Sequence, residues 1–291
     1  MSKRTYKFSL YTIHGHLADG TPDYHEIARR IVRLKGRVRK DGNRLIVIGS
    51  AMITSGNQSS ERVSFVTYSG DADRNVLFYD LNQLTEFSSL MESGRFVARK
   101  THVLFDPARR TLVIESGRGH PPAEELAKMI EEELHKEAGF ESLEISFTPI
   151  AAPTFINKID QLQRIQAVSV SIARPNVDWS ERYDQLAKLA DDSGAKAIDA
   201  TVRARRNEGI SKQNGIIPNL KRWLSDTMSS VSGARIKGSL PGQSGLVELK
   251  LSDHIDTFNV TVDVNADSGP PTDASIQEKL NGYLDERDQE I

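Results

Sequence analysis

The chain has 291 residues, of which 27% are charged and 38% are hydrophobic, and this composition is typical of a folded globular protein rather than a disordered one. It contains no cysteine, which excludes disulfide bonds, thiolate zinc sites and thiol catalysis. No stretch approaches the ~18 consecutive apolar residues of a membrane span, so we expect a cytoplasmic protein without membrane insertion.

The net charge of −2 hides an uneven distribution along the chain. Residues 1–150 carry 21 Lys or Arg against 20 Asp or Glu, and residues 151–237 carry 14 against 9. The last stretch, residues 238–291, carries 3 against 11. Such an asymmetry bears on binding partners, because the middle of the chain should attract polyanions and the C-terminal part should repel them.

The first part of the chain, residues 1–150, reads as an N-terminal α+β domain in which helices accompany an antiparallel-rich sheet. Alternation of apolar and polar residues predicts a strand over 5–16, and Asp23 is a suitable N-cap for a helix that Gly36 ends. The remaining predicted elements are strands at 45–49, 62–68 and 76–79, a short helix at 81–91, a hairpin within 95–118, a helix at 123–137 and a strand at 143–147.

The hairpin is the most clearly marked element of this domain. Asp106 and Pro107 suit the first two positions of a type I turn, and they lie between strand-forming runs at 103–105 and 111–114. In this register one face of both strands is apolar, and the other positions are rich in Lys and Arg. The positive charges could keep edge strands from pairing with other chains, or they could form a basic ribbon for a phosphate backbone.

A linker at 149–153 leads into residues 151–291, which read as a second, smaller domain of mixed strands and helices, with strand-helix-strand order and an acidic terminal helix. The predicted elements are strands at 165–172 and 197–204, helices at 178–192 and 217–229, strands at 234–240, 245–251 and 258–264, and a last helix from about 273 to the end.

Positive charge is concentrated in three clusters. Residues 29–44 contain eight Lys or Arg and one Asp, the hairpin supplies a second cluster, and residues 203–237 contain eight Lys or Arg against two acidic residues. Clusters spread over both domains favour sequence-independent contacts with phosphates over a single base-reading helix. The residues that we expect to make these contacts are Arg29, Arg30, Arg33, Lys35, Arg37, Arg39, Lys40, Arg99, Lys100, Arg109, Arg110, Arg203, Arg205, Arg206, Lys212, Lys221 and Arg222.

His14 and His16 have the HxH spacing that can place two imidazoles on one face of a strand. A metal site needs three or four converging ligands, and the sequence alone does not bring further ligands to this pair. We therefore expect polar histidines here, and no metal or cofactor.

Glu248 and Lys250 form an E-x-K pair on a predicted strand. Together with an upstream acid, for which Asp199 and Asp226 are the candidates, this pair is a signature of metal-dependent nucleases. An alternating strand with a charged outer face produces the same pattern. The sequence contains no phosphate-binding loop, dinucleotide fingerprint, nucleophile elbow or HExxH motif, which favours a binding protein over an enzyme.

Two segments resemble a known family, namely FVARKTHVLFDPARRTLVIESGRG at 96–119 and IQAVSVSIARP at 165–175. Together with the chain length and the order of the two domains, they make residues 60–215 similar to the RexA-like phage-exclusion proteins of temperate phages and prophages. The resemblance implies sequence-independent binding of double-stranded DNA by a homodimer, in defence against superinfecting phage. A second effector protein of the defence system is a further expected partner.

The predicted function is therefore non-enzymatic DNA binding in phage exclusion. The alternative is a metal-dependent nuclease or another nucleic-acid-acting toxin of a defence system. A third hypothesis is an interaction module whose charges only keep its surface solvated.

The last predicted helix has an apolar face as well as acidic residues. Ile276, Leu280 and Leu284 recur at helical spacing, and several Asp and Glu lie between and after them. Two hypotheses follow. The helix packs on its own domain, or it docks on a basic cluster and competes with DNA.

Overall fold

The computed structural model describes residues 2–18, 20–55, 61–71, 75–80, 85–90, 96–173, 193–195, 197–226, 229–264 and 272–287. Within these ranges the fold is α+β, with a large eight-stranded sheet, a small four-stranded sheet and a two-stranded hairpin. This confirms the predicted fold class. The predicted helix at 178–192 lies outside the described residues.

The large sheet is antiparallel throughout, with the order β14-β1-β8-β7-β4-β3-β2, and β9 also pairs with β1. Its strands are β1 (Ser2–His16), β2 (Val38–Asp41), β3 (Arg44–Ser55), β4 (Glu61–Asp71), β7 (Arg99–Asp106), β8 (Thr111–Glu115), β9 (Glu144–Pro149) and β14 (Thr257–Val264). The separate hairpin consists of β5 (Asn75–Asp80) and β6 (Thr85–Leu90).

Helices cover both faces of the large sheet. On one face lie α1 (Tyr24–Arg33) and α2 (Ala123–Leu134), and on the other lies the terminal helix α5 (Asp273–Arg287). The Asp23 carboxylate accepts a hydrogen bond from the backbone N–H of His25 at 2.8 Å, which confirms the predicted N-cap of α1.

The predicted hairpin is present, but its surroundings differ from the prediction. The Asp106 carboxylate accepts from the backbone N–H of Arg109 at 3.2 Å across the turn. Val103 faces the helices α1 and α2, while Leu104 faces α5, so both faces of β7 are buried. Because β7 and β8 lie in the middle of the sheet, the hairpin is neither an edge that needs protection nor an exposed basic ribbon. A second correction concerns the predicted helix at 81–91, where the chain forms the strand β6 instead.

The small sheet has the order β11-β10-β12-β13 and is also antiparallel. Its strands are β10 (Arg164–Ala173), β11 (Ala197–Arg203), β12 (Val231–Ser239) and β13 (Leu246–Lys250), and its described helices are α3 (Pro153–Gln161) and α4 (Ile216–Ser225). Both helices pack on one face of the sheet, against alternate residues of the central strands such as Val168, Val170 and Ile236.

The small sheet is inserted into the large one. The chain leaves the large sheet after β9 and returns in β14, and both strands pair with the same edge of β1. At the crossing point, Ile150 N donates to Leu10 O at 3.0 Å, Leu10 N donates to Asp256 O at 3.0 Å, and Asp256 N donates to Ile150 O at 2.7 Å. Insertions with adjacent ends are a common form of domain organisation.

The predicted boundary near residue 150 is present, but the second unit does not extend to residue 291 as predicted. Residues 150–256 form the inserted unit, while β14 and α5 complete the large sheet instead of belonging to a C-terminal domain. The pairing partner of β14 is β1, about 250 residues earlier (Ser2 opposite Val264), which no local pattern reveals.

The acidic helix α5 packs on the large sheet, and not on the C-terminal domain to which the sequence analysis assigned it. Its apolar residues contact Phe8 and Leu104 of the sheet. Beneath it, the buried guanidinium of Arg62 lies 2.9 Å from Asp106 Oδ2 and 2.9 Å from Asp285 Oδ1. The position of α5 thus depends on a buried charge from β4 as well as on apolar contacts.

A second polar group lies at the start of the same helix. The ring of His102 has its Nδ1 2.7 Å from Glu115 Oε2 and its Nε2 3.0 Å from Asp273 Oδ1. His120 lies beside it, with its Nε2 3.4 Å from Glu115 Oε1 and 3.2 Å from Arg99 Nε. Titratable groups of β7, β8 and α5 therefore meet in one partly buried place.

The buried network of Arg62 predicts a large loss of stability for Asp285→Ala. The substitution removes the Asp285 carboxylate from the Arg62 guanidinium, which keeps its contact with Asp106, and breaking a buried ion pair costs about 3–5 kcal/mol. Urea unfolding should show this decrease in the free energy of unfolding. The matched control is Glu278→Ala on the exposed side of the same helix, which should change it by less than about 0.5 kcal/mol. Equal effects of the two substitutions would contradict the role of Arg62.

The group around His120 predicts lower stability in mild acid. Burial lowers the pKa of His120 more than Glu115 raises it, and Arg99 and His102 lower this pKa further. The unfolded chain, with a histidine pKa of about 6.5, thus binds this proton at a higher pH than the folded one. The contribution of the neutral His120 to the free energy of unfolding is therefore complete above the unfolded pKa, and it is lost as the pH falls towards the lower pKa of the folded state. We expect the free energy of unfolding to be lower at pH 5.5 than at pH 7.5. In the His120→Asn variant the two values should lie closer together. An unchanged difference in this variant would show that other groups cause it.

Candidate nucleic-acid interface

The small sheet has one face that the described helices do not cover. Helices α3 and α4 bury one set of alternating side chains. The other set points to the opposite face, because successive residues of a strand point to opposite sides. On the central strand β10 this second set consists of Ala167, Ser169 and Ser171. We call this surface the polar face.

The strand register places side chains on the polar face in rows. One row contains Arg203, Ala167, Lys237 and Glu248, which are opposite one another on the four strands. The next row contains Thr201, Ser169, Arg235 and Lys250, and the third contains Asp199, Ser171 and Gly233. The charges thus lie on β11, β12 and β13, and the inner strand β10 supplies small residues.

The first row lies at the open end of the polar face. Arg203 and Lys237 are exposed there, and Arg205 and Arg206 follow directly after β11 and are exposed too. Lys237 Nζ lies 3.5 Å from Glu248, whereas the three arginines have no acidic partner among the residues that the structure describes. We call these four residues, Arg203, Arg205, Arg206 and Lys237, the rim cations.

Glu248 is held as a carboxylate by lysines. Desolvation is the largest single effect and would raise its pKa, but Lys237 and Lys250 together outweigh it and lower the pKa. Lys250 Nζ lies 3.4 Å from the Glu248 carboxylate. The glutamate therefore reduces the positive charge of the row without cancelling it.

Further along the polar face, the second and third rows form one wall of a cleft between the two sheets. The opposite wall comes from α2 and β9 of the large sheet, and the volume is about 980 Å³. Tyr11 lines the cleft as well, and burial raises the pKa of its phenol. We call this space the inter-sheet cleft.

The first predicted cluster is partly neutralised. Arg30 has Nε 2.6 Å from Glu26 and Nη1 2.6 Å from Glu137, and the buried Arg39 has Nε 2.9 Å from Glu132. Arg29 lies 3.3 Å from Glu61, and Arg37 lies 3.7 Å from Glu133. These pairs link α1 to β4 and β2 to α2, and they reduce the charge that the four arginines can offer to a ligand.

Three members of that cluster remain available. Arg33, Lys35 and Lys40 are exposed, and none has an acidic partner within the described part of the chain. They lie on α1 and around β2, at the far edge of the large sheet from β14. They belong to the large-sheet unit, whereas the rim cations belong to the small sheet.

The basic residues of the hairpin are dispersed. Lys100 pairs with Asp273 of α5, Arg99 contacts His120, and the guanidinium of Arg110 lies 4.8 Å from the centre of the Tyr24 ring. Arg109 lies in the turn at the opposite end of the strands from Arg99. The hairpin does not form one basic surface.

The remaining predicted residues lie on the helical side of the small sheet. Lys212 Nζ donates to Asp160 O at 2.8 Å, and Lys221 pairs with the Asp160 carboxylate. Arg222 is exposed on α4. These three residues are on the side opposite the polar face, so the cluster at 203–237 divides into two.

The geometry does not bring the two metal-related motifs to a metal site. His14 Nε2 lies 2.9 Å from Thr148 Oγ1 and 3.0 Å from Ser229 O, which makes it a contact between the sheets. Asp199 lies three strands away from Glu248, which is at least about 14 Å at the usual strand spacing. Asp226 follows α4, on the other side of the sheet. In the described ranges no three His, Asp or Glu residues converge as metal ligands do.

Sequence reasoning placed Arg235 and Lys237 in a basic cluster but missed the polar face itself. The signal that could have found it is the alternation V-S-V-S at 168–171, which predicts a strand with hydroxyls on one side. The facing wall, from α2 and β9, has no local signal, because it depends on how the inserted unit folds back on the large sheet.

Comparison with known sequences assigns the chain to a family. The sequence model described as "Domain of unknown function (DUF4747)" matches residues 4–225, so the chain belongs to the DUF4747 family. The match includes β1 to β11 and ends at the last residue of α4. No curated protein matches this chain. Within the described residues, each helix is too short or too polar to cross a membrane.

Proposed function

We propose that this DUF4747 protein binds double-stranded DNA without sequence preference, through the phosphates, and that the rim cations make the main contacts. The observation that carries the proposal is the presence of three exposed arginines, none with an acidic partner among the described residues, beside a lysine at the open end of a sheet face. A guanidinium group can donate two parallel hydrogen bonds to one phosphate. Arginines without an acidic partner do not have to break an ion pair before they bind it.

The spacing of the rim cations suits a phosphate backbone. Arg203 and Lys237 are on strands two apart, which separates their Cα atoms by about 10 Å. This is close to the axial length of three nucleotides on one strand at ~3.4 Å each. No helix projects from this edge in the described residues, so insertion into the major groove is not part of the proposal.

The salt dependence of binding tests this proposal. Each phosphate contact contributes a slope of about 0.9 in log K against log salt, so Arg203→Gln, Arg205→Gln and Arg206→Gln together should reduce the slope by nearly 3. Fluorescence anisotropy with a short blunt duplex between ~50 and ~200 mM salt measures it. The preference among duplex sequences should not change.

The matched control removes three other exposed charges, by Arg33→Gln, Lys35→Gln and Lys40→Gln. It loses the same net charge but should reduce the slope much less. If the control reduces the slope as much or more, the contact surface is at α1 and β2 instead. If the natural protein does not bind duplex at ~50 mM salt, the charges serve solvation only.

The nuclease alternative is tested by the same preparation. Plasmid DNA incubated with the protein and Mg²⁺ or Mn²⁺ should remain intact, because Glu248 lies between two lysines and far from Asp199. Cleavage that Glu248→Ala abolishes would overturn the binding-only proposal.

A role in phage exclusion is the biological part of the proposal, and it rests on the resemblance of residues 60–215. The rim cations bear on this role because DNA is the ligand that it requires. Cells that express the protein should give fewer plaques with some members of a panel of temperate and virulent phages. The Arg203, Arg205 and Arg206 triple variant should restore the plaques. If the variant protects the cells equally well, exclusion does not depend on DNA binding by the rim cations.

The resemblance also implies a homodimer. Light scattering tests this by measuring the molar mass of the protein in solution.

A further inference from the structure

The inter-sheet cleft is lined by polar side chains that are not among the proposed DNA contacts. Its small-sheet wall carries a row of hydroxyls that pair with one another or with a carboxylate: Ser169 Oγ lies 3.0 Å from Thr201 Oγ1, and Ser171 donates to Asp199 at 2.5 Å. Hydroxyls and carboxylates on a strand that faces a cavity are suited to the hydroxyl groups of a sugar.

Cations flank this row. Arg235 is directly opposite Ser169 on β12, and Lys250 is directly opposite Arg235 on β13. Arg235 is exposed and has no acidic partner among the described residues, so its guanidinium is available to an anion. Two cations on neighbouring strands can hold one phosphate group.

The opposite wall adds an apolar surface. Phe147 of β9 is partly buried against the large-sheet core and also lines the cleft. An aromatic ring in such a position can stack with a nucleobase, whichever base it is. The cleft thus combines an aromatic ring, a hydroxyl row and a pair of cations.

The size of the cleft restricts what it can hold. A volume of about 980 Å³ is at the upper end of the ~300–1,000 Å³ of small-molecule sites. A DNA duplex is wider than its major groove, which alone measures ~12 Å by ~8.5 Å, so a cleft of this volume can hold only a small part of a duplex. Glu124, Lys128 and Glu131 of α2 also line the cleft, and the net negative charge of this wall disfavours a ligand with several phosphates.

We propose that the inter-sheet cleft binds a nucleoside monophosphate unit, with its phosphate at Arg235 and Lys250, its sugar along the Ser169 row and its base against Phe147. The unit is either a free nucleotide or the unpaired terminal nucleotide of a DNA strand. The second source rests on the proposed function, because the rim cations would hold the duplex from which that strand end comes.

The experiment uses the full chain, with adenosine 5′-monophosphate and adenosine as free probes. Calorimetry measures their affinity for the natural protein, for Ser169→Phe, which fills the cleft, and for Arg235→Gln, which removes a phosphate contact. If the free nucleotide is the ligand, the monophosphate binds more tightly than adenosine, and each substitution weakens it by about tenfold or more. Arg222→Gln, which removes an exposed arginine on the opposite side of the sheet, is the matched control and should leave this affinity unchanged.

A second measurement distinguishes the strand end. Anisotropy compares a blunt duplex with the same duplex carrying three unpaired nucleotides at its 3′ or its 5′ ends. If the terminal nucleotide is the ligand, one overhang improves the affinity by about tenfold, and Ser169→Phe and Arg235→Gln both abolish the improvement. Thermal unfolding by circular dichroism checks that Ser169→Phe is folded. If Ser169→Phe is not folded, the affinities of Arg235→Gln alone test the proposal.

The proposal is overturned if neither the monophosphate nor an overhang gains affinity, or if the gain survives both substitutions. These outcomes are separate from the fate of the proposed function. Binding of the blunt duplex with its salt dependence tests the rim cations alone, and the overhang effect and monophosphate binding test the cleft.

Discussion

The structure depends on a single edge of β1 that two distant strands share. The backbone of Leu10 accepts from Ile150 and donates to Asp256, so that the exit and the return of the inserted unit meet at one buried residue. A buried backbone group without a partner is costly, and here each partner comes from one end of the insertion. The inserted unit must therefore leave and return at the same place, whatever its own sequence is.

A second contact helps to fix the direction of the inserted unit. Ser229 O, just before β12, lies 3.0 Å from His14 Nε2 and accepts from Thr148 Oγ1 at 2.9 Å. These side chains lie on β1 and β9, so the small sheet is held at its base and along one side. The polar face then lies opposite α2 and β9, and the inter-sheet cleft results from this arrangement. A pair of histidines with metal-like spacing thus includes one that connects the two sheets.

Features that depend on neighbouring residues could be predicted from the sequence, and features that depend on residues far apart in the chain could not. The turn at Asp106 and the N-cap at Asp23 are local, and both were predicted correctly. The central position of β7 and the membership of β14 in the large sheet were not predicted, because pairing partners far along the chain decide them. The helix expected at 81–91 was wrong for a related reason: its apolar residues are compatible with either period, and a facing strand determined the outcome.

The same distinction governs the candidate interface, where the number of positive charges is a poor guide to the charge that a ligand meets. The densest basic run, at 29–44, contains Arg30 and Arg39, whose guanidinium groups are engaged by glutamates from distant elements. Those ion pairs stabilise the fold, and binding a phosphate there would require breaking them. Arg203, Arg205 and Arg206 come from a shorter basic run, yet they are exposed at the end of an edge strand. Available charge is set by which acids the fold brings near each arginine, and for this chain that favours the small sheet over the strongest run in the sequence.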